Sequence, residues 1–259
     1  RPMKKLIIQI PCYNEEETLG ITLDALPRSV PGVEGVEYLV IDDGSRDKTA
    51  QVAKEHGAHH VLRFKRNRGL ARAFMEGLDY CIKVGADIIV NTDADNQYNA
   101  GDIPALIRPI LRGEAEIVIG ARPIYDIEHF SLAKKLLQKV GSWVVRVASH
   151  TNIPDAPSGF RAMSREAAMR LNVFNDYTYT LETIIQAGRK HMAITSVPVR
   201  VNENLRPSRL VKSIHSYLRR SFFTVVRIFM TYRPFRFFAL PGLLGMGIGM
   251  LPLIRFLYY

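Results

Sequence analysis

Two carboxylates and an amide stand close together in the segment Asp93-Ala94-Asp95-Asn96-Gln97. The apolar run before them, Ala86 to Asn91, is typical of a buried strand that ends where the acidic cluster begins. Because Asp93 and Asp95 are one residue apart, their side chains point to the same side at the end of a strand. Carboxylate and amide oxygens suit a hard divalent cation that keeps open positions for phosphate oxygens. An ordinary acidic turn is the alternative, and the neighbouring motifs decide between the two.

Three further polar clusters lie upstream, each at the end of an apolar run or the start of a helix. Pro-Cys-Tyr-Asn-Glu-Glu at 11–16 follows the run Leu6–Ile10, and Asp-Asp-Gly-Ser-Arg-Asp-Lys-Thr at 42–49 follows Glu37–Ile41. The third, Asn-Arg-Gly-Leu-Ala-Arg-Ala at 67–73, opens a helix. In an open parallel sheet the loops at the carboxyl ends of the strands meet in one crevice, where ligands bind. Helix caps and turns explain each cluster alone, but four in succession predict a shared ligand site.

Alternating strands and helices must position these loops. We predict strands near 6–10, 37–42, 60–63, 86–91 and 116–120, and helices near 16–27, 47–56, 70–83 and 102–112. A helix through Thr180–Arg189 and a strand through Ile194–Val199 complete the predicted domain. The helical spacing of apolar residues in Glu128–Ser149 fits either a helix packed on the sheet or one lying against lipid. The predicted fold class is therefore α/β.

The composition and charge of the chain limit the kinds of molecule that it is expected to bind. The chain has 259 residues, of which 47% are hydrophobic, and a formal net charge of +10 at pH 7. That length can bury one large core with an appendage. Because no nucleic-acid-binding motif accompanies the charge, we expect nucleotide phosphates or an anionic membrane face as partners, and no nucleic acid. Cys12 and Cys81 give no disulfide framework, which indicates a reduced compartment.

The motifs taken together resemble the family 2 glycosyltransferases, which have the GT-A fold: a Rossmann-like, mixed and mainly parallel sheet flanked by helices. Pro157-Ser158-Gly159-Phe160-Arg161 and Arg206-Pro207-Ser208-Arg209-Leu210 narrow the resemblance to the branch that acts on polyprenyl (dolichyl) phosphates. The resemblance covers roughly residues 4 to 235. It implies metal-dependent, inverting transfer of one sugar from a UDP- or GDP-sugar to a dolichyl or undecaprenyl monophosphate.

The resemblance also implies roles for individual residues. Asp95 and Gln97 are the implied ligands of Mg²⁺ or Mn²⁺, with Asp93 near the metal or the ribose. The implied contacts of the nucleotide base and ribose are Pro11, Tyr13, Glu15, Asp43, Asn67, Gly69 and Leu70. The candidates for the donor diphosphate or the acceptor phosphate are Arg122, Arg206 and Arg209, because guanidinium groups match phosphate oxygens.

The sequence leaves the identity of the acceptor open. A sugar hydroxyl needs a general base, whereas a phosphate monoester, with a second pKa of about 6, is already a dianion near neutral pH. Glu182 lies where hydroxyl-directed relatives place that base, so a hydroxyl acceptor is the alternative enzymatic interpretation. A catalytically silent, nucleotide-sugar-binding membrane anchor is the alternative outside enzymes. The segment Arg206-Pro207-Ser208-Arg209 also lacks the glycine and lysine of dolichyl-phosphate mannose synthases, which leaves mannose and GDP in doubt.

Hydropathy predicts a membrane-bound chain in three parts. We predict a cytoplasmic catalytic domain at 3–205, basic amphipathic juxtamembrane helices at 206–235 and a transmembrane segment at 236–259. An uncharged apolar run from Phe237 to Ile254, with basic residues before it, supports this division and places the catalytic domain at the cytoplasmic face of the cell membrane. Gly245 and Gly249 have the small-xxx-small spacing that favours a homo-oligomer formed through this segment.

Overall fold

The computed structural model describes residues 4–123, 139, 142–143, 145–147, 149–173, 179–203, 223, 226–227, 230–231 and 234–258. The chain divides into two compact units, Arg1–Arg209 and Leu210–Tyr259. The first unit contains the sheet and all of the motifs named above up to residue 209.

Within the described residues the first unit is built on one mixed sheet. Its strands are β1 (Lys4–Cys12), β2 (Val33–Asp42), β3 (His60–Arg63), β4 (Ile88–Asn91), β5 (Ile117–Ala121), β6 (Arg161–Ser164) and β7 (Ile194–Pro198). Their order across the sheet is β3-β2-β1-β4-β6-β5-β7. β6 is antiparallel to β4 and β5, and the other pairs are parallel. The predicted mixed, mainly parallel α/β sheet is confirmed.

The described helices of the first unit, with one exception, fall where the apolar periodicity predicts them. They are α1 (Leu19–Ala25), α2 (Thr49–Glu55), α3 (Leu70–Lys83), α4 (Ile103–Leu111), α5 (Arg165–Arg170) and α6 (Tyr179–Arg189), with a short 3-10 helix at Ala100–Asp102 before α4. β6 and α5 were not predicted, because the strand sequence Arg-Ala-Met-Ser lacks both an apolar run and an alternating pattern.

The parallel strands are apolar on both faces. Residues Ile88–Val90 of β4 and Ile117–Ile119 of β5 are buried throughout, as expected where helices cover both sides of a sheet. Two polar side chains inside the sheet form a hydrogen bond to each other, since Gln9 Nε2 donates to Asn91 Oδ1 at 3.0 Å. Burial of these runs fixes the register of the strands, and thereby the positions of the loops that follow them.

The order of the strands creates a crevice. The chain moves outward from β1 to β2 and β3, then returns to the other side of β1 as β4. At such a switch point the loops leaving β1 and β4 diverge, and ligands bind between them in open α/β sheets. The four polar clusters follow β1, β2, β3 and β4, so they share this carboxyl edge, as predicted.

The second unit contains the helix α7 (Pro234–Tyr258). No helix in the described ranges combines the length and the apolar character that a membrane crossing needs. The transmembrane segment predicted at 236–259 is therefore not found. The amphipathic helices predicted at 206–235, and most of the helix predicted at 128–149, lie outside the described residues.

Candidate active site

The turn after β4 contains the predicted metal ligands. Asp95 Oδ1 accepts a hydrogen bond from the backbone nitrogen of Gln97 at 3.1 Å, and Asn96 has a φ of +54°. Together they produce a tight turn of the kind in which Asp and Asn side chains bond to backbone two residues on. From α1, Thr22 Oγ1 donates to the carbonyl of Ala94 at 2.9 Å. The turn is thus anchored to a neighbouring helix at its centre.

Asp93 lies against a glycine. A β-carbon on Gly159 would stand 2.9 Å from Oδ1 and 3.1 Å from Oδ2 of Asp93, so only glycine lets the carboxylate occupy this position. Burial raises the pKa of the Asp93 carboxyl to about 7, the negative charge of Asp95 adds to the shift, and the positive charges of Arg122 and Arg161 act against it. No donor in the described part of the chain forms a hydrogen bond to this carboxylate. This carboxylate is partly exposed, so its oxygens are accessible to a further cation.

The donor set fits a divalent metal ion. Asp93, Asp95 and Gln97 supply hard oxygen ligands and are partly accessible. No group of three or more His, Cys, Asp and Glu side chains among the described residues could hold a metal ion. Mg²⁺ is commonly bound by one or two carboxylates together with substrate phosphates, so phosphate oxygens of a ligand would complete the coordination here.

The loops after β2 and β3 are bonded to each other. Asp43 Oδ1 accepts from the backbone nitrogen of Arg68 at 2.7 Å, and Oδ2 accepts from that of Gly69 at 2.9 Å. Burial raises the pKa of the Asp43 carboxyl, and the two hydrogen bonds act against that shift. At Gly44, where φ is +72°, a β-carbon would lie 2.4 Å from the carbonyl carbon of Arg66. Asp43 therefore positions the loop that contains Asn67 and Gly69, and its contact with a nucleotide stays a prediction.

The loop after β1 is bonded to the loop after β2. The backbone nitrogen of Asn14 donates to Ser45 Oγ at 2.9 Å, and that of Glu15 donates to Thr49 Oγ1 at 2.8 Å. Tyr13, which follows the buried Pro11, is 42% exposed, so its ring is accessible to a base. The structure thus joins the loops that contain the residues implied for the nucleotide, and their contact with a nucleotide stays a prediction.

Arg122, at the end of β5, forms a buried ion pair that the sequence did not predict. Its Nε lies 2.7 Å from Asp155 Oδ2 and its Nη2 lies 3.0 Å from Asp155 Oδ1. The side chains are 10% and 1% exposed, respectively. Asp155 thus binds two of the guanidinium nitrogens, and the positive charge of Arg122 acts on Asp93 in the turn. Asp155 stands in an irregular segment with no periodic pattern, so no sequence signal pointed to it.

Arg161, the first residue of β6, is a fully buried cation. Its Nη1 donates to the carbonyl of Thr180 at 3.2 Å and to Thr183 Oγ1 at 2.5 Å, and its Nη2 donates to the carbonyl of Ser158. Its Cζ lies 5.3 Å from the centre of the Tyr179 ring. Burial lowers the pKa of Arg161. This arginine connects the segment that contains Gly159 to the start of α6, a role that its place in the sequence motif did not reveal.

Of the remaining predicted site residues, two lie outside the described residues and one lies within them. Arg206 and Arg209 lie outside the described residues, so their roles stay predictions. Glu182 is in α6, where it is 8% exposed, and its Oε1 accepts a hydrogen bond from Gln186 Nε2 at 3.3 Å.

Comparison with known proteins supports one family. Residues 7–171 match the family described as Glycosyl transferase family 2. The polyprenol monophosphomannose synthase of Mycolicibacterium smegmatis is 26% identical over 236 residues, which cover 87% of this chain and 87% of that protein. The UDP-N-acetylglucosamine–dolichyl-phosphate N-acetylglucosaminyltransferase of Methanococcus voltae is 28% identical, over 76% of this chain and 85% of that protein.

Solved structures show the same fold. Glucosyl-3-phosphoglycerate synthase from Mycobacterium tuberculosis, in complex with Mn²⁺, UDP and glucosyl-3-phosphoglycerate, aligns with a TM-score of 0.69 at 23% identity, covering 88% of this chain and 80% of that one. The same enzyme has also been solved with Mg²⁺ and UDP. The sheet, the polar clusters on its carboxyl edge and the match over residues 7–171 agree: this chain belongs to the family 2 glycosyltransferases and is a hexosyltransferase.

Proposed function

We propose that this enzyme transfers one sugar from a UDP- or GDP-sugar to a polyprenyl monophosphate at the cytoplasmic face of a membrane. The proposed reaction depends on Mg²⁺ or Mn²⁺ and inverts the anomeric centre. The observation that carries the proposal is the turn after β4, where the carboxylate of Asp93 receives no hydrogen bond from the described residues and lies close enough to Asp95 for their charges to repel.

A divalent cation bound together with a nucleoside diphosphate would relieve that repulsion. Asp93, Asp95 and Gln97 would hold a divalent cation, which would neutralise the negative charge that builds on the leaving diphosphate. No protonating side chain is then required for departure. The chain's own contribution is to keep the turn rigid, through Thr22 and the Asp95–Gln97 bond.

Several observations favour a phosphate acceptor over a hydroxyl. Relatives named for polyprenol and dolichyl phosphates match over 76–87% of this chain. A phosphate monoester needs cations for positioning rather than a base. Arg122 supplies one such charge, which acts on Asp93 in the turn, and Arg206 and Arg209, which lie outside the described residues, are further candidates. Glu182, the base that a hydroxyl acceptor would need, is 8% exposed and bonded to Gln186, a setting that suits a structural acid.

A lipid acceptor favours a location at the cytoplasmic membrane. Helix α7 exposes large apolar side chains, with Phe235 at 83%, Ile248 at 68% and Phe256 at 79% exposure. Apolar surface of this kind is characteristic of protein or membrane contacts. Self-association through Gly245 and Gly249 stays a prediction.

The deciding experiment is a transfer assay in detergent. Radiolabelled UDP- and GDP-sugars are incubated with polyprenyl phosphate and Mg²⁺ or Mn²⁺, and chloroform-extractable label is counted for the wild type, Asp95→Ala and Glu182→Gln. We expect a metal-dependent sugar lipid that Asp95→Ala abolishes and Glu182→Gln reduces only slightly. Asp24→Ala is the matched control, because this exposed carboxylate on α1 pairs only with His56 among the described residues.

The other outcomes are equally informative. A labelled soluble glycan that requires Glu182 would replace the proposal with the hydroxyl acceptor. Nucleotide binding without any transfer would favour a silent anchor.

A further inference from the structure

The segment that leaves β7 runs along the acidic turn. The backbone nitrogen of Asn99 donates to the carbonyl of Arg200 at 3.3 Å, and that of Asn202 donates to the carbonyl of Gln97 at 2.8 Å. Tyr98 and Val201 form an antiparallel bridge between these two bonds. We refer to Arg200–Asn202 as the strap. It connects the edge strand β7 to the turn after β4, which lies three strands away across the sheet.

The side chain of Asn202 binds the same turn twice more. Its Nδ2 donates to the carbonyl of Asn96 at 2.8 Å and to that of Tyr98 at 3.3 Å. With the backbone bond to Gln97, one residue therefore engages the carbonyls of three consecutive residues. The three carbonyls are those of Gln97, the predicted amide ligand, and of the residues on either side of it. One of these, Asn96, has a φ of +54°, which is a left-handed conformation.

The strap is also fixed at its other end. The backbone nitrogen of Arg200 donates to Asp102 Oδ2 at 2.7 Å, and its Nε and Nη2 donate to Asp102 Oδ1 at 2.9 and 2.7 Å. The Arg200 guanidinium is thereby paired with Asp102, in the 3-10 helix that follows the turn. Contacts outside the turn thus help to hold the strap, in addition to its own bonds to the turn.

We propose that Asn202 is a positioning residue for the divalent-cation site, which acts by fixing the backbone of residues 96–98. The inference rests on the proposed function, because it takes Asp93, Asp95 and Gln97 as the ligands of a cation bound with a nucleoside diphosphate. When a bound nucleotide supplies some of the oxygens around a metal ion, the metal affinity depends on the exact positions of the few oxygens that the protein supplies. Asn202 fixes the backbone segment that contains Gln97 and is adjacent to Asp95.

The test measures metal binding directly. Mn²⁺ is titrated into the full chain in the presence of saturating UDP or GDP, and free Mn²⁺ is followed by electron paramagnetic resonance. We expect Asn202→Ala to raise the dissociation constant of Mn²⁺ about tenfold, while the affinity for UDP or GDP without metal and the melting temperature stay near wild type. Asn172→Ala is the matched control, since Asn172 is an exposed residue of the same unit whose side chain has no recorded bond within the described residues.

Each result decides the inference. Unchanged Mn²⁺ affinity in a folded Asn202→Ala would overturn it, and so would an equal loss of metal-free nucleotide affinity, because the strap would then position the nucleotide. If Asn202→Ala does not fold, Asn202→Ser retains one hydroxyl donor and should give a smaller rise, with an unchanged constant again overturning the inference. Wild-type protein that binds no Mn²⁺ with either nucleotide would overturn the proposed metal site itself, which separates that failure from the first.

Discussion

The two halves of the sheet hold their functional loops in different ways. In the half formed by β1, β2 and β3, neighbouring loops are joined by hydrogen bonds between side chains and backbone, as when Asp43 binds the nitrogens of Arg68 and Gly69. In the half that begins at β4 and includes β6 and β5, buried charges do this work, notably Arg161 and the Arg122–Asp155 pair. We call the half formed by β1, β2 and β3 the nucleotide half, after its proposed ligand, and the other the buried half. Hydrogen bonds between neighbouring loops hold the first, and buried charged side chains hold the second.

The largest expected effect is at the glycine of the buried half. In Gly159→Ala the new methyl would lie 2.9 Å from Asp93 Oδ1 and 3.1 Å from Tyr179 Oη, so the carboxylate must move. We expect kcat/KM for sugar transfer to fall by about 100-fold, or about 2.7 kcal/mol of transition-state stabilisation.

Gly35→Ala is the control for that variant, because a β-carbon there meets nothing within 4 Å. Wild-type activity in Gly159→Ala would mean that the buried half tolerates displacement, and the contrast between the halves would disappear.

Next in size is the loss of the buried cation. Arg161→Met removes the bonds to Ser158, Thr180 and Thr183, but it also removes the cost of burying a charge, so the two contributions oppose each other. We expect the free energy of unfolding to fall by about 2 kcal/mol in urea titrations. Arg170→Met, at a half-exposed arginine that pairs with Glu116, should change it by about 0.5 kcal/mol at most.

A smaller effect, of a different kind, is expected in the nucleotide half. Asp43→Asn keeps one carbonyl oxygen for the backbone of Arg68 or Gly69 but loses the second acceptor. Because the loop moves while the acidic turn does not, we expect KM for the donor to rise about tenfold with kcat nearly unchanged. An equal fall in kcat in steady-state kinetics would show that the two halves are coupled rather than separate.

The smallest effect is a dependence of stability on pH in protein freed of metal with EDTA. The pKa of Asp93 is raised to about 7 by burial and by Asp95, above the value of about 3.9 in an unfolded chain. The folded state then binds a proton that the unfolded state releases, so stability decreases as pH rises between about 4 and 7.

The decrease should be at most about 1.4 kcal/mol per pH unit, measured by urea unfolding at pH 6 and pH 7. Asp93→Asn, which cannot ionise, should remove most of this decrease. An unchanged slope would place its origin outside the acidic turn.

The sequence predicted the nucleotide half better than the buried half for a physical reason. Asp43 and Gly69 belong to short motifs whose residue types suit turns and close backbone approach, and a motif can be read without knowing the fold. Asp155 and β6, by contrast, carry no periodic pattern. β6 also contains Arg161, a residue type that is almost never fully buried, so propensity argues against its position in the sheet interior.

The sequence by itself determined the α/β class, most of the element order and the polar clusters on one edge of the sheet, because apolar periodicity and turn chemistry are local properties. Only the tertiary structure decided that Gly159 packs on Asp93, that Asp155 binds Arg122 and that Asn202 bonds to the acidic turn. These contacts join residues from 33 to 106 positions apart, and strand order rather than any local pattern brings them together.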